Sequence, residues 1–313
     1  MLGALSVLLS VLRTTLRPAT DIGARNCPVA CATALAIIDR MTWNGEELDI
    51  DAYLARIGYE GEAKPNLETL RALHRGHVAG IPFENLEIML GRPVLLDLEA
   101  LQDKMVRRRR GGYCYEQNLL FAAALERIGF PVKGLGARVR VGASTTRAVT
   151  HMLLNVEADG EQWHCDVGFG ADGLLEPIPM RAGVDVPQGE WRFGIGSEEE
   201  GVQVLRTQNS AGWFDLYAYA PTRCLPVDYV VMNHYTSTHH KSPFIRRPVL
   251  QQAAPELRSR LIGAQLARTR PDGSRDECDV PVSGLRNTLV REFGIELEDG
   301  EFAELIRVHY AGA

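Results

Sequence analysis

Asp159-Gly160 constrains this chain more than any other pair of residues. It sits between two strand-like runs, Thr150-His151-Met152-Leu153-Leu154-Asn155-Val156 and Trp163-His164-Cys165-Asp166-Val167-Gly168. Asp-Gly between such runs signals a two-residue hairpin turn, whose central residues must accept positive φ. The turn then dictates the pairing. Counting outward, Ala158 faces Glu161, Val156 faces Trp163, Leu153 faces Asp166 and His151 faces Gly168. Side chains alternate along a strand, so His151 shares a face with Leu153 and hence with Asp166. His151 and Asp166 become diagonal neighbours, within reach of each other. A slip of one residue would turn Asp166 to the other face. The turn chemistry argues for the unslipped register.

An imidazole held by a carboxylate is half of a nucleophilic site. The other half is offered by Arg110-Gly111-Gly112-Tyr113-Cys114-Tyr115-Glu116-Gln117-Asn118. Leu119, Leu120, Ala123, Ala124 and Ile128 follow at helical spacing, with Gly129 and Pro131 as stop signals. Cys114 therefore opens a helix, where unpaired N–H groups and the helix dipole favour thiolate over thiol. Cys114 reads as nucleophile, His151 as base and Asp166 as the group that orients the base. Singly, each has a plainer reading: an inert buried thiol, a core histidine, a turn-forming aspartate. His164 shares the Asp166 face but pairs with Asn155, further from the site than His151.

The wider pattern divides the chain. Residues 46–128 read as helical, with Leu67, Leu70, Leu73 and His74 at helical spacing, and Leu98, Leu101 and Met105 likewise. Residues 129–233 carry strand-like runs at 136–141, 152–156, 162–167, 203–206 and 214–219, which suits a barrel or curled antiparallel sheet. Beyond 234 the signals mix: helix over 255–267, strand over 277–282, helices over 284–293 and 301–308. Residues 1–45 read as an extension, disordered or foreign to the native fold. Its apolar run over 2–12 is too short to span a bilayer and lacks a basic segment before it. Residues 34–38 with Met41 suit a short helix, and Met41 is a second candidate start.

Composition excludes several classes. A net charge of −6 argues against nucleic-acid and membrane partners. The six cysteines form no CxxC pair and no zinc spacing, so no metal is expected. Scattered thiols suit a reducing, cytoplasmic setting.

Five segments in order carry a resemblance. They are Ile81-Pro82-Phe83-Glu84-Asn85-Leu86, the Arg110–Asn118 stretch, His151-Met152-Leu153-Leu154, Asp166-Val167-Gly168-Phe169-Gly170, and Tyr235-Thr236-Ser237-Thr238 running on to Ser242-Pro243-Phe244. From about residue 46 onward the chain resembles the arylamine N-acetyltransferases. The resemblance implies an α+β fold in three parts, an N-terminal helical bundle (46–128), an antiparallel β-barrel (129–233) and an interdomain segment with a C-terminal α/β lid (234–313). Its core is a cysteine-protease-like Cys-His-Asp set. It implies ping-pong acetyl transfer from acetyl-CoA, through acetyl-Cys114, to a small aromatic amine or hydrazine, and O-acetylation of N-hydroxyarylamines. Phe83 and Phe169 match aromatic positions beside the nucleophile and would wall in a flat amine. Thr150, Gly168 and Ser242 are the implied coenzyme contacts, and Lys241, Arg246 and Arg247 are cations for its phosphates. Lys104 and Arg107 to Arg110 read as a solvated helix end, with a modest steering role toward CoA at most. One departure is Trp163-His164-Cys165, where relatives more often carry plain aliphatic residues. The same triad also serves macrolactam-forming amide synthases, which use a carrier-bound acyl chain, and Cys-His-Asp hydrolases or transglutaminase-like enzymes.

Overall fold

The computed structural model describes residues 43–209 and 211–310. The expectations for residues 1–42, including the short helix, Cys27 and Cys31, lie outside the described residues. Helices with polar starts and apolar stripes build the first part. α1 (Ile50–Arg56) begins where the Asp49 carboxylate accepts the Ala52 N–H. α2 (Leu67–Gly80) begins the same way at Asn66, which accepts from Thr69, and buries Leu70, Leu73, His74 and His77. Then come β1 (Phe83–Glu84), α3 (Leu86–Met89), α4 (Leu98–Leu101) with a π turn over Gln102–Arg107, and α5 (Cys114–Ile128). Every residue of α5 from Cys114 to Leu125 is buried, as a helix through the core must be. Trp43 and Gly45 donate their N–H groups to Glu126 on α5. Residues 43–45 therefore belong to the fold, a correction to the expected extension of 1–45.

The strands follow: β2 (Val132–Val139), β3 (His151–Ala158), β4 (Glu161–Cys165), β5 (Ile178–Pro179), β6 (Asp185–Gln188), β7 (Trp191–Ser197), β8 (Gln203–Asn209) and β9 (Gly212–Cys224). They form one antiparallel sheet in the order β5-β4-β3-β2-β9-β8-β7-β6. It curls into a barrel left open between the short edge strands β5 and β6, around Leu135, Leu153, Phe193, Leu205 and Tyr217. The β3–β4 register is the one counted from the turn, with Ala158 opposite Glu161 and Val156 opposite Trp163. Asp159 and Gly160 both take positive φ, 51° and 79°, as such a turn demands.

α6 (Pro226–Thr238) comes next and runs across the division expected at 233/234. A second sheet, in the order β1-β10-β11-β12-β13, combines β10 (Val249–Ala253), β11 (Arg258–Ile262), β12 (Gln265–Thr269) and β13 (Arg275–Asp279) with β1 from the helical part. α7 (Val282–Phe293) and α8 (Asp299–His309) cover it, burying Leu250, Leu261, Leu266, Leu285, Leu289 and Leu305 together. The expectation of a helix over 255–267 fails here. Leu257 and Leu261 are four apart, a spacing that also places two residues on one strand face. Gly263, at φ 61°, turns the chain so that Leu261 and Leu266 pair across a hairpin. Among the described residues, no helix is long and apolar enough to cross a membrane.

The basic run also differs from expectation. Lys104 and Arg110 are buried beneath the start of α5. Lys104 Nζ lies 2.7 Å from Glu116 Oε1 and 3.7 Å from Glu84 Oε1, and Arg110 lies 2.8 Å from the same Glu84 oxygen. Glu116 in turn accepts the Tyr113 N–H just ahead of Cys114. Arg107 and Arg108 are exposed, paired with Glu99, Asp103 and Glu87. The reading of a solvated helix end holds for these two and fails for Lys104 and Arg110, whose acidic partners come from other segments. Lys104→Met leaves two buried carboxylates short of their shared cation. It should cost about 3–5 kcal/mol of stability in urea denaturation, with the loss centred on α5.

Candidate active site

Cys114 is the first residue of α5, with extended Tyr113 as its N-cap. Its thiol is buried, and its Sγ points to the Thr150 carbonyl at 3.9 Å. Thr150 immediately precedes β3, so the next residue, His151, begins the strand beside the nucleophile. His151 Nε2 donates to Asp166 Oδ2 at 2.7 Å. Cys114 also acts on this ring, raising the His151 pKa. The hairpin count made His151 and Asp166 diagonal neighbours, and they are in contact.

Asp166 sits one residue past β4 and is buried. Its two oxygens accept four hydrogen bonds. Oδ2 takes His151 Nε2 and the Tyr217 hydroxyl, each at 2.7 Å. Oδ1 takes Asn118 Nδ2 and the Gly168 N–H, each at 3.0 Å. Burial alone would raise the Asp166 pKa. His151, Asn118 and Tyr217 outweigh it and hold the carboxyl down at about 2. Burial would lower His151, but Asp166 and then Cys114 outweigh that and push the imidazole up to about 10. The favoured state across neutral pH is an imidazolium beside a carboxylate.

Three supporting residues went unassigned in the sequence reading. Asn118 lies one helical turn after Cys114 and so on the same face, a signal that was available. Its amide donates to Asp166 and to the Met152 carbonyl and accepts from the Val167 N–H. Tyr217 comes from β9. His74 comes from α2, and its Nε2 accepts the Asp166 N–H at 3.2 Å while Nδ1 lies 3.1 Å from the Leu175 carbonyl. No local pattern announces either.

The remaining expected residues divide. Phe169 sets its ring edge against His151 at 5.1 Å, and Phe83 lies buried against Phe244 at 5.8 Å. Thr150 offers Cys114 its carbonyl, while its hydroxyl turns back to Ala148. Gly168 is buried against Cys114, where a Cβ would meet Cys114 Cα at 2.7 Å. Ser242, expected at the coenzyme, is buried. Its hydroxyl is already taken, donating to the Thr236 carbonyl and accepting the Phe244 N–H. Lys241, Arg246 and Arg247 are exposed around Phe244. His164 lies on the Asp166 face but is separated from the thiol by Tyr217 and Asp166. No cluster of metal-ligating side chains occurs among the described residues.

Comparison with known proteins gives one consistent answer. A family profile described as N-acetyltransferase matches residues 66–302. The arylamine N-acetyltransferase of Mycolicibacterium smegmatis is 36% identical over 260 residues, 80% of this chain and 94% of that protein. The crystal structure of the Nocardia farcinica arylamine N-acetyltransferase superposes with a TM-score of 0.81 at 46% identity, covering 85% of this chain and 95% of that one. The Mycobacterium marinum arylamine N-acetyltransferase in complex with CoA gives a TM-score of 0.77 at 33% identity, covering 84% and 100%.

Two outcomes follow from the geometry. His151, raised from 6.5, adds stability that is complete below that pH and is lost as pH rises through about 10. Asp166, depressed from 3.8, adds stability that is present above that pH and is lost as pH falls through about 2. NMR titration of the His151 ring should therefore show it charged at pH 8, and in Asp166→Asn, with the largest of the groups that raise it removed, its pKa should fall. Gly168→Ala should cost about 1–3 kcal/mol and slow alkylation of Cys114, because two of the obstructing atoms belong to the Cys114 backbone and the third is Asn118 Nδ2, held by Asp166.

Proposed function

The chain belongs to the arylamine N-acetyltransferase family, and on that premise we propose that it carries the acetyl group of acetyl-CoA to aromatic amines and hydrazines through acetyl-Cys114. The observation that carries this reading is the 2.7 Å contact of His151 with Asp166 beside a thiol at a helix start. His151 holds the Cys114 proton as imidazolium. The thiolate attacks the thioester carbonyl, the bond from that carbon to the coenzyme sulfur breaks, and the departing thiolate takes the His151 proton. A neutral amine then attacks the acetyl-Cys114 carbonyl. His151 takes its N–H proton, the carbon–Sγ bond breaks, and amide leaves as the thiolate–imidazolium pair returns. On this reading, backbone N–H groups at the start of α5, beside Cys114, stabilise each tetrahedral oxyanion.

Phe169 against the base and Phe83 in the adjoining wall suit a flat aromatic acceptor. An N-hydroxyarylamine presents an oxygen to the same acetyl-cysteine, so O-acetylation needs no further machinery. Exposed Lys241, Arg246 and Arg247 are the cations offered to the coenzyme phosphates. This reading puts the protein in the cytoplasm, with reduced thiols and acetyl-CoA.

Mass spectrometry after treatment with acetyl-CoA should find one acetyl group, on Cys114, discharged when an arylamine is added. Cys114→Ala should take none. Asp166→Asn should slow the acetylation by about 10⁴-fold, through loss of the correct imidazole tautomer. Acetylation elsewhere, or a near-normal rate in Asp166→Asn, would contradict the assignment.

A further inference from the structure

We propose that His164 is a positioning residue for this reaction, aiming the Tyr217 hydroxyl at Asp166 and so holding the carboxylate that orients His151. The proposal rests on the reading of Cys114, His151 and Asp166 as the reacting set. His164 is fully buried on β4. Its ring bridges two phenols of β9, with Nε2 2.7 Å from the Tyr217 oxygen and Nδ1 3.0 Å from the Tyr219 oxygen.

Proton counting gives this bridge a direction. Tyr217 has one hydroxyl proton and stands 2.7 Å from Asp166 Oδ2. An ionised carboxylate can only accept, so that proton lies between Tyr217 and Asp166. The Tyr217 oxygen must then accept from His164, which places the ring proton on Nε2. Nδ1 becomes the acceptor, and Tyr219 supplies the hydrogen. The Tyr219 oxygen also lies 2.7 Å from Gln203 Oε1 on the partly exposed strand β8; with the one Tyr219 hydrogen committed to His164, the Gln203 amide must be turned end for end so that its NH2 donates to Tyr219. The result is a one-way chain from Tyr219 through His164 and Tyr217 to Asp166, in which each bond polarises the next.

The charged and titratable groups facing His164 are Asp166 two residues on, His151 from β3, His74 from α2, and the two phenols. Burial lowers the His164 pKa to about 3; Asp166 opposes this, while His151 and His74 add to it. The ring is therefore neutral in working conditions, as the chain of donors requires. An aliphatic residue at this position would leave the Tyr217 oxygen without its donor and its hydroxyl free to rotate.

The test uses the full chain with isotope-labelled histidine. NMR at neutral pH should find His164 protonated on Nε2 alone; a proton on Nδ1, or on both nitrogens, overturns the proposal. His164→Leu should shift the His151 Nε2–H resonance and slow Cys114 acetylation by roughly three- to tenfold, the worth of one hydrogen bond. Tyr219→Phe, a milder change made at the far end, should move both in the same direction. His164→Gln keeps an N–H donor and should retain most of the rate. In a Tyr217→Phe background, His164→Leu should have no further effect on either measurement. Additive effects there would mean that His164 acts by packing alone, and would overturn the proposal. A wild-type Cys114 that accepts no acetyl group would refute the functional reading instead, and the His151 resonance would still decide the role of His164.

Discussion

A carboxylate removed from water must be repaid in hydrogen bonds, and Asp166 sets that requirement for the whole molecule. It is 1% exposed and keeps its charge. An unpaired ion there would cost several kcal/mol, a large share of any domain's net stability. Its four donors come from β3, α5, β9 and its own loop. The hairpin, the nucleophile helix and a strand across the barrel must therefore converge on one residue. The site geometry is in this sense a by-product of solvating a buried charge with protein. Cys114 and His151 stay in register because anything that moved one of these elements would strip a donor from Asp166.

How much of this was legible depended on whether the deciding interaction was local. The β3–β4 register was, because Asp159 and Gly160 name a turn type and the turn fixes every pair beyond it. Cys114 was, because a glycine pair and the apolar stripe that follows mark where α5 begins. Tyr217 was not. It reaches the site through the β2–β9 pairing, whose register shifts between Leu135 and Ala137. No turn residue announces such an irregularity. The buried state of Lys104 and Arg110 was hidden for a related reason. Charge alone reads as surface, and the acids that draw them inward, Glu84, Glu87 and Glu116, lie on other segments.

The segments that carried the family resemblance do two kinds of work. Cys114, His151 and Asp166 are the proposed reacting set, while their motif neighbours hold the parts together. Asn85 donates to the Phe244 and Arg247 carbonyls and accepts the Val249 N–H, tying the first helical part to the last sheet. Ser242 spends its hydroxyl on the turn that carries Phe244. Glu116 spans Lys104 and the N–H of Tyr113. A motif residue beside a nucleophile is thus as often a fastener as a ligand contact, and only its hydrogen bonds separate the two.

Three buried histidines surround Asp166, and their different fates show how one charge organises its neighbours. Burial disfavours the cation for all three. His151 touches the carboxylate directly and is pushed up to about 10. His74 meets only the Asp166 backbone and is lowered to about 4, and His164, with Tyr217 interposed, is lowered to about 3. Desolvation is similar at each position, so contact with the charged oxygen decides the outcome. The arrangement confines the single mobile proton to the ring that faces Cys114. It also leaves the other two rings neutral, each obliged to donate through one nitrogen and accept through the other. That obligation makes them rigid supports, since a neutral imidazole with both nitrogens engaged cannot turn over without breaking two hydrogen bonds. Charge at His151 and neutrality at His74 and His164 are therefore one design, in which the proton has a single place to be.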